Sequence, residues 1–264
     1  MSCLLVIPAR YESSRFPGKP LAFFKDSNGK KISLIEKTWN LALELNFFEK
    51  KIIATDDERI KKHCEGFGAE VCMTSKSLKN GSERVAETLN LQNKNYEIIV
   101  NLQGDAPLTP KWVIEDLVNE LRNSSYQVST PVFRCNIEAL KKLMIDKKAG
   151  RIGATTVVFD KNQKALYFSK ELIPHTNPTN IKDKSNFIYH HIGVYAYKEE
   201  ALRSYIGFEP GYLELQEGLE QLRFLENNIS IKCVISSLKS QEFWELNNPS
   251  DIPVIERILK NRII

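Results

Sequence analysis

An α/β fold with a mainly parallel sheet, carrying an antiparallel β insertion in its second half, is what this sequence predicts. Three observations carry that expectation. Apolar strand-like runs alternate with helix-spaced runs up to about residue 126. Two of those runs, Leu4–Ile7 and Ile98–Leu102, are almost continuously apolar, as strands buried on both faces must be. Beyond residue 126, strand patterns follow one another across short polar turns.

The elements follow in order. Leu4–Ile7 is a strand that breaks at Pro8. Ile32, Ile35, Trp39 and Ala42 recur at three and four residues, an amphipathic helix. Ile52–Ala54 is a short strand leading into Thr55, Asp56 and Asp57, Arg59 to Cys64 reads as helix, and Val71–Met73 as strand. Gly81 and Ser82 open a helix that turns Val85 and Leu89 inward. After Ile98–Leu102, Thr109 offers an N-cap and Pro110 a first-turn proline to a helix burying Val113, Leu117 and Leu121. Such βαβ alternation implies parallel strands joined by helical crossovers. In the second half, Val128–Phe133 and Ala154–Phe159 are strands, Asp160–Gln163 a turn, and Ala165–Ser169 the returning arm of a hairpin. Lys182–Ser185 is polar, and Phe187–Tyr197 is a long β-rich run. Leu215, Leu219 and Leu222 mark a helix, Ile229–Ile235 a late strand, and Asn248-Pro249 caps the last helix.

Composition bounds the function. The 264 residues are 42% hydrophobic and 27% charged, an ordinary globular balance, and the net charge of +4 does not argue for nucleic acid. No apolar run approaches the roughly 20 residues of a membrane helix, and the start lacks the cationic n-region of a signal peptide. Cys3, Cys64, Cys72, Cys135 and Cys233 are odd in number and lack zinc spacing, as reduced core thiols of a cytoplasmic protein would. The four histidines form no metal-ligand cluster in the sequence.

Four segments could carry chemistry. The loop after the first strand holds Arg10, Arg15 and Lys19, with Ser13, Ser14 and Gly18 among them. It is either a solvated basic loop or an anion cradle at a strand's carboxyl end, where open α/β sheets bind ligands. Asp105 follows the apolar strand in Asn101-Leu102-Gln103-Gly104-Asp105, and either closes a turn or holds Mg²⁺ against substrate phosphates. Asn80-Gly81-Ser82-Glu83-Arg84 begins a helix whose N-terminal N–H groups suit an anion, with Arg84 beside them. Glu214, Glu217 and Gln221 recur opposite the apolar stripe of the late helix, a pattern that usually means a solvent face. Of His190 and His191, strand alternation sends one inward.

LVIPARYESSRFPGKPL, IIATDD, EVCMTS, NGSERVAE, VNLQGDAP, ALYFSKELIP, HIGVYAY and LEQLR together resemble the 3-deoxy-manno-octulosonate cytidylyltransferases of lipopolysaccharide synthesis, in order and over nearly the whole chain. The resemblance implies a single domain with a Rossmann-like nucleotidyltransferase fold. Its nucleotide-binding half would span 1–126, and its sugar-binding and dimerisation half 127–264. It implies CTP as donor, Mg²⁺ as cofactor, an acidic 3-deoxy-ulosonic sugar as acceptor, and a homodimer. By resemblance Arg10, Lys19 and Asp105 are the catalytic set, with Arg10, Ser14, Arg15 and Lys19 around the nucleotide phosphates. Met73, Arg84 and Gln103 match cytosine and ribose contacts. Lys170, His191, Tyr195, Glu220 and Gln221 match the sugar pocket, and Asp105 and the Asn247 position match the metal site.

Four positions depart from the family pattern. Asn247 stands where relatives carry a second metal-binding Asp, with Glu245 and Asp251 as the acids that could compensate. Ala106 replaces the acid of QGDEP, Lys170 the arginine after YFS, and Thr156 a strand lysine. Two other readings stand beside the resemblance. One is a sugar-1-phosphate nucleotidyltransferase, whose usual G-x-G-T-R loop is absent, and the other a nucleotide-binding relative with impaired catalysis.

Overall fold

In the computed structural model, β1 (Cys3–Ala9) is buried almost from end to end, because parallel neighbours close both of its edges. The structure describes residues 2–13, 16–148, 154–176, 187–239 and 244–261. They divide into two compact units, Met1–Glu115 with Leu238–Ile264, and Asp116–Ser237. No helix among the described residues is long and apolar enough to cross a membrane.

In the first unit, β1 pairs in parallel with β4 (Lys50–Thr55) and β6 (Ile98–Leu102), and β4 with β5 (Val71–Met73). The carboxyl ends of all four strands therefore share one edge. Helices α1 (Leu34–Leu43), α2 (Glu58–Gly66) and α3 (Gly81–Leu91) are the crossovers, capped by Ser33, Asp57 and Asn80. A short hairpin of β2 (Phe23–Lys25) and β3 (Lys31–Ser33) precedes α1 and takes Ile32 out of the predicted helix. Its three-residue strands are too short to show a period, and the Asp26 carboxylate closes the turn by accepting from the Asn28 and Lys30 N–H groups. The last helix, α9 (Ile252–Asn261), returns to this unit. Its Ile255, Ile258 and Leu259 pack with Phe24, Ile32, Leu34, Leu108 and Leu246.

Helix α4 (Lys111–Arg122) crosses the unit boundary. The Thr109 hydroxyl donates back to the Ala106 carbonyl at 2.9 Å. In the second unit, β7 (Val128–Arg134) pairs antiparallel with β10 (Tyr189–His191) and β11 (Val194–Lys198), and parallel with β12 (Ile231–Ile235). The single run expected over Phe187–Tyr197 is two strands. Ala196 lies opposite Ser129 while His191 lies opposite Val132, so the register slips across Ile192 and Gly193. The predicted hairpin is β8 (Thr155–Phe159) and β9 (Ala165–Ser169), antiparallel, with Asp160 bonding the turn.

Two helices were not foreseen, α5 (Ile137–Lys148) and α6 (Glu199–Gly207). The single helix expected around Leu215–Leu222 is broken at Gly218 (φ 61) into α7 (Tyr212–Glu217) and α8 (Leu222–Glu226). Glu226 reaches back to accept the Leu213 and Glu214 N–H groups at 2.9 and 3.1 Å. A Cβ on Gly211 would lie 2.3 Å from that carboxylate, so the glycine keeps the cap seated.

Glu214 is buried, contrary to the solvent-face reading. It takes both forks of the buried Arg223 guanidinium, at 2.6 and 2.7 Å, and Arg223 also lies 4.3 Å from the Tyr205 ring centroid. Breaking such a pair strands a buried charge, whereas replacing both partners with apolar groups does not. Arg223→Met is therefore expected to cost about 3–5 kcal/mol in urea unfolding, and the double variant Glu214→Leu/Arg223→Met to recover most of that loss.

Candidate active site

The first unit gathers the residues flagged around the nucleotide. Lys19 opens a 3₁₀ turn after the β1 loop, and its Nζ meets the Asp105 carboxylate at 2.9 Å. The cationic loop and the acid after β6 thus converge, 86 residues apart in sequence. Gly18 (φ 71) sets the loop's return. Its N–H donates to the Tyr11 carbonyl at 2.8 Å, and a Cβ there would press on the Tyr11 ring at 3.1 Å. The Arg59 guanidinium covers that ring at 3.3 Å and is forked onto Asp57 at 2.9 and 2.7 Å. This bond holds the Asp57 carboxyl below its usual range. Arg10 leaves the end of β1 and donates to the Lys79 carbonyl at 3.4 Å, just before the Asn80–Arg84 segment. Ser14 and Arg15 lie outside the described residues.

The start of α3 is closed by its own side chains. Asn80 accepts the Glu83 N–H at 2.9 Å, and Glu83 accepts the Lys79 N–H at 2.6 Å. Arg84, 3% exposed, donates to Asp56 at 2.9 Å and to the Thr74 hydroxyl. Asp56 and Thr74 follow β4 and β5, so one guanidinium ties those two neighbouring strand ends, while the Lys19–Asp105 contact ties the loop after β1 to the end of β6. The sequence had shown Asp56 only as a residue after a strand. Met73 ends β5, half-buried. Gln103 and Gly104 lead to Asp105, and the Gly104 carbonyl accepts the Thr38 hydroxyl at 3.2 Å. Ala106 is buried, where a carboxylate would be desolvated.

The chain returning before α9 reaches the same place. Leu246 is anchored in the apolar cluster, and its N–H donates to the Asp105 carbonyl at 2.9 Å. Asn247 follows, its amide donating to Glu245 at 3.3 Å. Asp251 is committed elsewhere: it accepts from the Asn247 and Asn248 N–H groups at 2.9 and 2.7 Å and from the Trp244 indole at 3.1 Å. Glu245, the other acid that could compensate for Asn247, is the acceptor of that Asn247 amide. No group of three His, Cys, Asp or Glu side chains able to cage a metal occurs among the described residues. The donor set fits a hard ion whose remaining ligands are water and phosphate oxygen, because Mg²⁺ needs only one or two carboxylates.

The second unit carries the other predicted set. Glu217, at the end of α7, accepts from the Ser169 hydroxyl at 2.7 Å, the Tyr167 hydroxyl at 3.2 Å and the Lys170 N–H at 3.0 Å. It organises the end of β9 and is not a solvent-face residue. Lys170 Nζ lies 2.8 Å from where a Cβ on Gly218 would stand. Thr156 donates to the Glu171 carbonyl at 2.6 Å and accepts the Ile173 N–H at 3.2 Å, so it fastens the same strap. His191 Nε2 is 2.9 Å from the Thr130 hydroxyl, and the Tyr195 hydroxyl donates to Gln221 Oε1 at 3.1 Å. Gln221, 2% exposed, has no partner for Nε2 among the described residues. Glu220 enters through its carbonyl, which accepts the Tyr205 hydroxyl at 3.1 Å. The sequence missed Thr130 and read Glu217 as part of a solvent face. The signal for Thr130 was present: Ser129 and Thr130 are polar residues inside an apolar strand.

The cytidylyltransferase family profile matches residues 4–231. The 3-deoxy-manno-octulosonate cytidylyltransferase of Maricaulis maris is 39% identical over 260 residues, covering 98% of this chain and 97% of the relative. This chain belongs to the 3-deoxy-manno-octulosonate cytidylyltransferase family. The Chlamydia abortus member is 41% identical, covering 96% of this chain and 92% of its own. A solved CMP:2-keto-3-deoxy-manno-octonic acid synthetase complexed with CTP superposes with a TM-score of 0.82 at 27% identity, covering 99% of this chain and 100% of that one. A 4-diphosphocytidyl-2C-methyl-D-erythritol synthase from Anaerococcus prevotii, 12% identical with a TM-score of 0.60, shares the fold alone. The α/β fold expected from the sequence is thus the fold of this cytidylyltransferase family.

Burial pushes the His191 imidazole down to about 3 from its ordinary 6.5. Between those values the unfolded chain binds a proton that the folded one refuses. The stability held above pH 6.5 therefore declines as the pH falls toward 3. His191→Gln is expected to flatten the fall of the urea-unfolding free energy between pH 6.5 and 4 by up to about 1.4 kcal/mol per pH unit.

Proposed function

We propose that this protein transfers a cytidylyl group from CTP to 3-deoxy-manno-octulosonate or a close 3-deoxy-ulosonic acid, releasing pyrophosphate. The observation that carries this reading is the Lys19–Asp105 contact, a cation and a carboxylate brought to one strand edge in a cytidylyltransferase chain. In the reaction the anomeric hydroxyl oxygen bonds to the α-phosphorus, the bond from that phosphorus to the β-phosphate oxygen breaks, and the hydroxyl proton leaves to solvent. Little covalent work falls to the protein, so positioning and charge neutralisation dominate.

Arg10 and Lys19, with Arg15, suit the triphosphate, and Met73, Arg84 and Gln103 suit the nucleoside. Asp105 would hold Mg²⁺, with Glu245 or the Asn247 amide oxygen as the further protein ligand; the ion supplies charge neutralisation on the phosphates. Lys170, His191, Tyr195, Glu220 and Gln221 suit the sugar acid. Two copies would associate through the second unit, where Leu166, Phe187, Tyr212 and Leu215 are exposed apolar side chains.

Pyrophosphate release from CTP and Mg²⁺ with a panel of 2-keto-3-deoxy acids tests the reading. Turnover is expected with at least one eight-carbon acid, and Asp105→Asn should lower kcat about 10²–10³-fold. Absence of release with every acid, under Mg²⁺ and Mn²⁺, overturns it. Asn247→Asp is expected to lower the Mg²⁺ concentration for half-maximal rate about tenfold, read by Mg²⁺ titration of turnover. An unchanged titration would show that Asp105 and the phosphates suffice.

A further inference from the structure

The Thr130 hydroxyl, buried on β7, has three neighbours. It lies 2.8 Å from the Val194 carbonyl, 3.4 Å from the Ile192 carbonyl and 2.9 Å from His191 Nε2. Carbonyl oxygens only accept, and a hydroxyl has one proton. Two oxygens 2.8 Å apart need that proton between them, so it points at Val194. The only role left for the Thr130 oxygen toward His191 is acceptor, and Nε2 must carry the ring proton. A neutral imidazole protonated at Nε2 keeps a lone pair on Nδ1. No described residue pairs with Nδ1, and the groups around the ring are the uncharged Phe168 (5.1 Å between centroids), Tyr195 (5.4 Å) and His190.

We propose that Thr130 is a positioning residue that fixes His191 as its Nε2–H tautomer, so that Nδ1 accepts a hydrogen bond from a hydroxyl of the sugar substrate. The inference rests on reading this cluster as the acceptor-sugar site. Gln221 supplies the complementary feature. Its Oε1 is taken by the Tyr195 hydroxyl, and its buried Nε2 is an unmatched donor among the described residues. A buried donor without an acceptor is destabilising, and a ligand oxygen offsets that cost. One neutral acceptor and one neutral donor match the hydroxyls of a sugar rather than its carboxylate.

The test begins with the ¹⁵N-labelled full-length protein, whose four histidines can be told apart by comparison with His191→Gln. Long-range ¹H–¹⁵N correlation is expected to show the Nε2–H pattern for His191. Thr130→Val removes the hydroxyl at similar volume. It should lose or mix that tautomer and raise KM for the sugar acid about tenfold, with KM for CTP unchanged. Thr130→Ser keeps the hydroxyl and should restore both readouts. A wild-type Nδ1–H spectrum, or an unchanged sugar KM in Thr130→Val, overturns the proposal, and if that variant does not fold, the wild-type spectrum and Thr130→Ser still decide it. Failure of every sugar acid to support turnover overturns the functional reading and the ligand it names. A wrong tautomer with turnover intact overturns this inference alone.

Discussion

A parallel strand buried on both faces has nowhere along its length to keep a charge. That constraint sorts the first unit. Residues 3–7 of β1 and 98–102 of β6 carry no charge and, apart from the buried Asn101, are apolar, and the ionic groups appear where strands stop: Arg10 after β1, Asp56 after β4, Asp105 after β6. The site is thus the place where burial ends, and its composition follows from the sheet's order.

At that edge three cations already have an acid. Lys19 has Asp105, Arg84 has Asp56, and Arg59 has Asp57. A polyanionic ligand arriving there exchanges one set of ion pairs for another. The Lys19–Asp105 pair is partly buried, while the Arg84–Asp56 pair is drier and costs more to part. The first pair is the easier to rearrange, and the second keeps its place. The second unit uses the other chemistry, neutral hydrogen bonds around Thr130, His191, Tyr195 and Gln221.

The parallel half was legible because its strands are predominantly apolar and separated by helices with clear periods. Ile98–Leu102 is β6 to the residue. The second half was harder for physical reasons. Helix α5 carries lysines on much of its surface, and α7 is six residues long and ended by Gly218, so neither sustains a stripe. The Glu214–Glu217 pattern misled because an acid buried against Arg223, and another collecting three donors from β9, look in sequence like a solvated face. Lys19 and Asp105 were each visible, but their contact depends on strand order, which no local pattern encodes.

The first unit is made from two pieces of chain, and the piece that completes it comes last. Phe24, Ile32, Leu34 and Leu108 have no finished apolar layer until Leu246, Ile255, Ile258 and Leu259 arrive. The amino-terminal strands can pair before that piece docks, whereas the Asp105 carbonyl waits for the Leu246 N–H. Long loop closure of this kind slows folding without weakening the product. A chain stopped short of α9 therefore presents Phe24, Ile32, Leu34 and Leu108 to water, an apolar face that invites association before the unit is finished.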